Sequence, residues 1–432
     1  MATQSQSEFP SYGITKINLW LAIGIVLLLA VIAFGVVGYY RQLVEGEIVT
    51  GMRDVGTGAG APWGLYIAFE LYAVGVGFGS MILVGIIGIF RLDAMRPLVK
   101  PLALTTIVSL IVGYMAVMAD LGQPLRAIIN IARYARPMSP FFGTFTVGLV
   151  TALTATIVFL YLDSRPTLAA MAKQSRASGL WRFLAAGYRD TVEQRQRRRN
   201  VHFAMSALLL VLGIAAASSS GFVFSMQPAR PGWFSALQSP SFVALGAASA
   251  TAIIAIIVGL LPALFNGSQT DKRRIHGWLN NVMLALVGLV LYFLLTELIT
   301  VSYSGQLHQD NVTEALFTGE YAWAFWGSGG LFLLAFVFAG MQTIARSYSL
   351  PVIFAIAIII NVAAWLKRLV VVLPSLTHGN LLPYSEGSYS PTWVEYAVTA
   401  GLVALGILGY IILLKVMPIM LVGRDQQQEA QS

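Results

Sequence analysis

Cysteine is absent from this chain of 432 residues. That excludes disulfides, and it excludes zinc or iron–sulfur centres held by thiolates of this chain. Histidine is nearly absent: His202 and His276 fall at the ends of apolar segments, and His308 and His378 in polar connections. A haem held by two histidines needs both inside spans, so no haem is expected here. Charge is scarce as well, at 11% of residues against 57% hydrophobic. A soluble chain of this length would need far more polar surface.

What is present is long apolar sequence. About 20 apolar residues suffice to cross a bilayer as a helix. Ten segments qualify, at 17–40, 63–90, 102–119, 140–162, 201–224, 241–266, 277–301, 322–341, 350–373 and 394–415. The expected fold class is an all-α integral membrane protein. One polytopic domain covers 17–418, after an N-terminal segment 1–16 and before a polar, Gln-rich tail 419–432 of the kind that stays disordered. The first apolar run is too long for a cleavable signal and has no cleavage site behind it. The longest break, 164–200, is basic and partly helical in pattern, and is expected to lie on the membrane surface as an amphipathic connector. The run 241–266, rich in Ala, Ser and Gly, suits tight helix packing.

A net charge of +8 could point to nucleic acid, but its distribution points to lipid. If the ten spans alternate, 19 of the 27 Lys and Arg residues fall on the side of the termini. Basic loops stay cytoplasmic, which places the chain in the cell membrane with both termini inside. Arg195, Arg197, Arg198 and Arg199 then meet anionic headgroups. Arg126, Arg133 and Arg136 fall on the opposite side; they bind headgroups, meet an acidic partner or steady a carboxylate. The connections 302–321 and 374–393 hold no Lys or Arg and are large enough for a docking platform.

Four ionisable residues in or at the ends of spans converge on one half of the bilayer: Glu70, Asp120, Glu297 and Arg368. Charge at such depth is costly and marks function by default. Span two opens with Pro62-Trp63-Gly64. Proline is tolerated at a helix start because its missing amide has no intrahelical partner there, and Trp63 suits the interface. Glu70 follows Trp63 by seven residues, about 10 Å deeper at about 1.5 Å per residue. It either fixes packing through a hydrogen bond or holds and passes a proton, since desolvation disfavours the charged carboxylate. Asp120 also suits a turn, and Glu297 could simply reach water. Lys367 and Arg368 are adjacent and point different ways on a helix, so one can snorkel outward while the other pairs with a buried carboxylate. Ser218, Ser219 and Ser220 add hydroxyls at the same level. Acids, an Arg and polar donors beside an apolar wall suit a ligand with a polar head and a greasy tail. A membrane quinone, whose reduction takes two electrons and two protons, is the natural candidate.

The stretch APWGLYIAFELYAVGVGFGS from Ala61, the ADLGQP corner ending at Pro124, TELIT in span seven, KRLVVVLPSL in span nine and SYSPTWVEY before span ten resemble the NrfD/PsrC family. The ten spans and the last three motifs are similar to its longer branch of HybB-type and DsrP-type subunits. The resemblance implies two four-helix bundles plus flanking helices. It also implies a cofactor-free, quinone-reactive subunit of a respiratory oxidoreductase complex rather than a complete enzyme. Its partners would be a ferredoxin-like iron–sulfur subunit and a catalytic subunit such as a molybdopterin enzyme, a hydrogenase or a cytochrome. By residue, it implies proton or headgroup chemistry at Glu70 with Asp120 beside it, Trp63 and Tyr66 at the pocket entrance, and a proton path or ion pair at Glu297 and Arg368. Some members carry a His at the quinone site, and this span has none. Two other functions remain open: a secondary transporter using buried Glu and Arg, and a passive membrane anchor.

Overall fold

A backbone in lipid can satisfy its amides and carbonyls only within itself, so each long apolar run folds as a helix. The computed structural model describes residues 19–52, 62–134, 143–174, 178–228, 230–261, 269–304, 309–378 and 387–416. In order, the helices are α1 (Leu19–Glu45), α2 (Leu65–Ile89), α3 (Val99–Asp120), α4 (Pro124–Tyr134), α5 (Gly143–Gln174), α6 (Ser178–Ala185), α7 (Val192–Ser225), α8 (Gln238–Leu260), α9 (Gln269–Ser304), α10 (Gln309–Phe317), α11 (Ala322–Ala345), α12 (Leu350–Val372), α13 (Pro374–Thr377) and α14 (Trp393–Val416). Among the described residues, ten helices are long and apolar enough to cross a membrane. The chain is an all-α, multi-pass membrane protein. Segments 1–16 and 419–432, together with Arg136 and His308, lie outside the described residues.

The basic connector departs from expectation. Most of 164–200 is taken up by its neighbours: α5 runs on to Gln174 through Pro166, and α7 starts at Val192. The Thr191 side chain caps α7 by accepting from Gln194 N at 3.3 Å, so Arg195 to Arg199 ride on its first turns. Among the described residues, only α6 and the turn after it lie between these helices. A charged helix end projecting past the apolar zone satisfies its backbone better than an open loop would.

Helices α2, α3, α5 and α7 touch in a cycle, as do α8, α9, α11 and α12, while α2 also meets α8 and α12. Helix α1 pairs with α14, which lies on α3. Helix α2 is buried along nearly its whole length. Its contact with α8 depends on missing side chains: a Cβ on Gly79 would collide with the Gly246 carbonyl, and one on Gly246 would come within 2.7 Å of Gly75 O. Removing Cβ lets backbones approach, which is how apolar helices associate where no hydrophobic force separates them from lipid. Polar side chains add specific ties. Tyr72 Oη donates to Asn361 Oδ1 at 2.8 Å between α2 and α12, and Gln342 Nε2 donates to Asn280 Oδ1 at 2.9 Å between α11 and α9.

Candidate functional site

Alternation of the spans brings the starts of α2, α8 and α14 and the ends of α1, α3, α7, α9 and α12 to one end of the molecule. All six residues singled out from the sequence lie at that end, but they do not form one cluster.

Glu70 occupies the second turn of α2 and is 3% exposed; Arg368, in the last turns of α12, is 2% exposed. The two are electrostatic partners. Yet Glu70 Oε1 and Arg368 Nε and Nη1 find no hydrogen-bond partner among the described residues. The guanidinium lies 4.0 Å over the Phe242 ring, a cation–π contact, and beside Gly75, where a Cβ would come within 3.1 Å of Nη2. Asp120 closes α3, is also 3% exposed, and lies within electrostatic reach of Glu70.

An aromatic wall adjoins Arg368 through Phe242. Trp63 stacks on Trp233 with centroids 5.7 Å apart, Trp233 meets Phe224 edge-on, and Phe224 contacts Phe242. The Trp233 indole is fixed by donating to Val371 O at 2.6 Å. Trp63 is half-buried in this wall. Tyr66 is not at an entrance: it is fully buried and turns toward α1, where it donates to Gln42 Oε1 at 2.8 Å.

A buried clasp holds the start of α2. The Leu65 amide donates to Tyr389 Oη at 2.7 Å, and that hydroxyl donates to Glu395 Oε1. Glu395 Oε2 accepts from Gly51 N at 2.7 Å and from Thr392 N at 3.0 Å. One carboxylate thus joins the α1–α2 connection, the head of α2 and the head of α14. Burial, with the Glu395 charge alongside, pushes the Tyr389 phenol up, so it remains a donor.

Two expectations need correction. Glu297 does not pair with Arg368; its Oε2 accepts from Lys367 Nζ at 3.2 Å, beside a cleft lined by Gln238, Leu294, Val371 and Ser375. The adjacent cations point apart, Lys367 toward α9 and Arg368 toward α2. The Ser218–Ser220 run offers no free donors at Ser219 and Ser220, whose hydroxyls donate back to Ala216 O. That back-bonding is the usual recourse of serine inside an apolar helix.

Sequence reasoning missed Glu395, Tyr389, Trp233, Gln42 and Glu47. A signal existed for two of them: Pro231-Gly232-Trp233 echoes Pro62-Trp63-Gly64, and SYSPTWVEY carries an acid inside an apolar helix. It also missed a polar group at the opposite end. There Lys100 is 4% exposed with no partner for Nζ among the described residues, and His202 Nε2 lies 3.8 Å from Asp163 Oδ1.

The family model described as "Polysulphide reductase, NrfD" matches residues 54–378. A putative dimethyl sulfoxide reductase membrane subunit of Halobacterium salinarum is 28% identical, over 90% of this chain and 88% of its own length. A probable Ni/Fe-hydrogenase 2 b-type cytochrome subunit of Escherichia coli is 25% identical, over 88% of each. A selenate reductase subunit of Mesobacillus selenatarsenatis is 24% identical, over 89% of this chain and 91% of its own. All three are named as subunits of oxidoreductases, and the matched region contains Glu70, Asp120, Glu297 and Arg368 together with the helices that carry them. This chain therefore belongs to the NrfD polysulphide reductase family.

Proposed function

We propose that this chain is the quinone-reactive membrane subunit of a multi-subunit oxidoreductase in the cell membrane, with both termini cytoplasmic. It exchanges electrons between a docked iron–sulfur subunit and membrane quinone or quinol, with proton transfer at Glu70. The observation that carries this reading is the Glu70–Arg368 pair: opposite charges enclosed within the helices, within electrostatic reach of each other, with hydrogen-bonding capacity left over on both. A side-chain pair serving packing alone would spend that capacity on each other, because a buried polar group left unsatisfied costs roughly 1–3 kcal/mol. The leftover groups match a quinone head. Arg368 N–H groups can donate to a carbonyl oxygen, and Glu70 can give it a proton or take one from a hydroxyl. The Arg368 charge stabilises a carboxylate that burial penalises, so both protonation states of Glu70 are within reach during turnover. The half-buried Trp63, backed by the buried Trp233 and Phe224, supports a place for a ring or its tail.

With no cysteine the chain holds no thiolate-ligated iron–sulfur centre of its own, which supports an electron source in a docked iron–sulfur subunit. The relatives' names, subunits of a dimethyl sulfoxide reductase, a hydrogenase and a selenate reductase, support a catalytic partner. The test is Glu70→Gln in the assembled complex. Assembly should survive and quinone turnover should fall by about a hundredfold, as for loss of a general acid–base group. Unchanged quinone kinetics would leave a passive anchor as the better account.

A further inference from the structure

Glu70 and Asp120 are both only 3% exposed, so protons used at Glu70 must be resupplied through the protein. Glu47 begins the short 3₁₀ turn Glu47–Val49 after α1 and is half-buried between the exposed Gly46 and Ile48, with its Oε2 atom enclosed. Its Oε1 accepts from Gln42 Nε2 at 3.0 Å, and the same amide donates to Ala119 O at 2.8 Å, the residue before Asp120. On the other side of Asp120, Gly122 adopts a φ of +49°, and a Cβ there would lie 3.0 Å from Glu47 Oε1. Glu47 is thus held against both flanks of Asp120. Gln42 is one of only three buried residues on α1, beside two glycines. Its Oε1 accepts from Tyr66, whose phenol lies within electrostatic reach of Glu47, Asp120, Glu395 and Tyr39. Asp120 in turn lies within reach of Glu70.

Building on quinone chemistry at Glu70, we infer that Glu47 is the surface end of a three-carboxylate relay, Glu47–Asp120–Glu70, which exchanges protons with water at the end of the molecule where α2 begins. Each quinone reduced takes two electrons from the iron–sulfur partner and two protons, which enter at Glu47, pass by Asp120 and leave from Glu70. Each proton given up by Glu70 is replaced from Asp120, so every carboxyl regains its starting state. Quinol oxidation runs the same steps in reverse. The Gln42 amide moves no proton and holds the first two acids in register. Lys100, Asp163 and His202, at the far end, lie off this route.

The test uses the intact complex with a short-chain quinone analogue. In Glu47→Gln the new amide oxygen can still accept from Gln42. Assembly and KM should hold, kcat should fall at least about tenfold, its pH profile should shift and its solvent deuterium isotope effect should rise. Glu47→Asp should recover most of the rate. Unchanged kcat and isotope effect in Glu47→Gln would overturn the relay and leave the quinone reading to the Glu70→Gln result. Equal losses in Glu47→Gln and Glu47→Asp with an unmoved isotope effect would make Glu47 a structural tie, and would also overturn it. A second measurement needs no variant. In proteoliposomes with a pH dye on either side, protons should be exchanged on the side bearing the α1–α2 connection; exchange on the other side refutes the relay.

Discussion

Two acid–base pairs lie at the same level of this molecule, and adjacent residues of α12 supply their cations. Lys367 and Glu297 meet directly at 3.2 Å with side chains 13% and 34% exposed. Arg368 and Glu70 are enclosed, attract each other and leave hydrogen-bonding atoms unused. In the first pair, charge near the surface has found its partner and its free energy is spent. In the second, packing by Phe242, Gly75 and the aromatic wall holds the charges in place without letting them saturate one another. A pair that is not self-satisfied has something to offer a ligand, which is why the proposed function rests on Glu70 rather than Glu297.

That contrast can be broken in stages. Arg368→Leu should have the largest effect. It leaves the Glu70 charge enclosed without compensation, a loss of about 3–5 kcal/mol, read as a lower unfolding temperature in detergent together with lost turnover. The double variant Glu70→Leu/Arg368→Leu should regain most of that stability but no turnover; regained turnover would show that the pair only held the fold. Next comes Glu395→Gln. Only one of the two oxygens remains an acceptor, so either the two backbone donors or the Tyr389 hydroxyl loses its partner, and the clasp on α2 should weaken by roughly 1–3 kcal/mol. Proteolysis of the 46–52 connection should accelerate, with turnover reduced less than in Glu70→Gln. Lys367→Met should do least, about 1 kcal/mol or less as for a partly exposed pair, with quinone kinetics intact. A loss of turnover as large as that of Glu70→Gln would move the site to the Glu297 cleft and invert the comparison.

Much of the architecture is legible in the sequence. The ten spans follow from run length and hydropathy, and the place of Glu70 near the start of α2 from its distance to Pro62-Trp63. The 164–200 connector is legible only in part, because its partly helical, basic pattern does not say whether those helices lie apart on the surface or continue the flanking spans, as α5 and α7 do. Glu395 escapes notice because an acid three residues inside a helix that starts at Trp393 looks like an interfacial group reaching water. It is fully buried only because Tyr389, Gly51 and Thr392 converge on it, Gly51 from the far end of the chain.

By itself the sequence determined that this is a helical membrane protein, how many times it crosses, and which end of the spans collects charge, because lipid imposes those outcomes on any chain of this hydropathy. Tertiary structure decided which charge serves which. Lys367 and Arg368 differ by about 100° around one helix, at about 3.6 residues per turn, a rotation that means nothing until α9 stands on one side and α2 on the other. The close approach of α2 and α8 across Gly75, Gly79 and Gly246 sets which helix lies on which side.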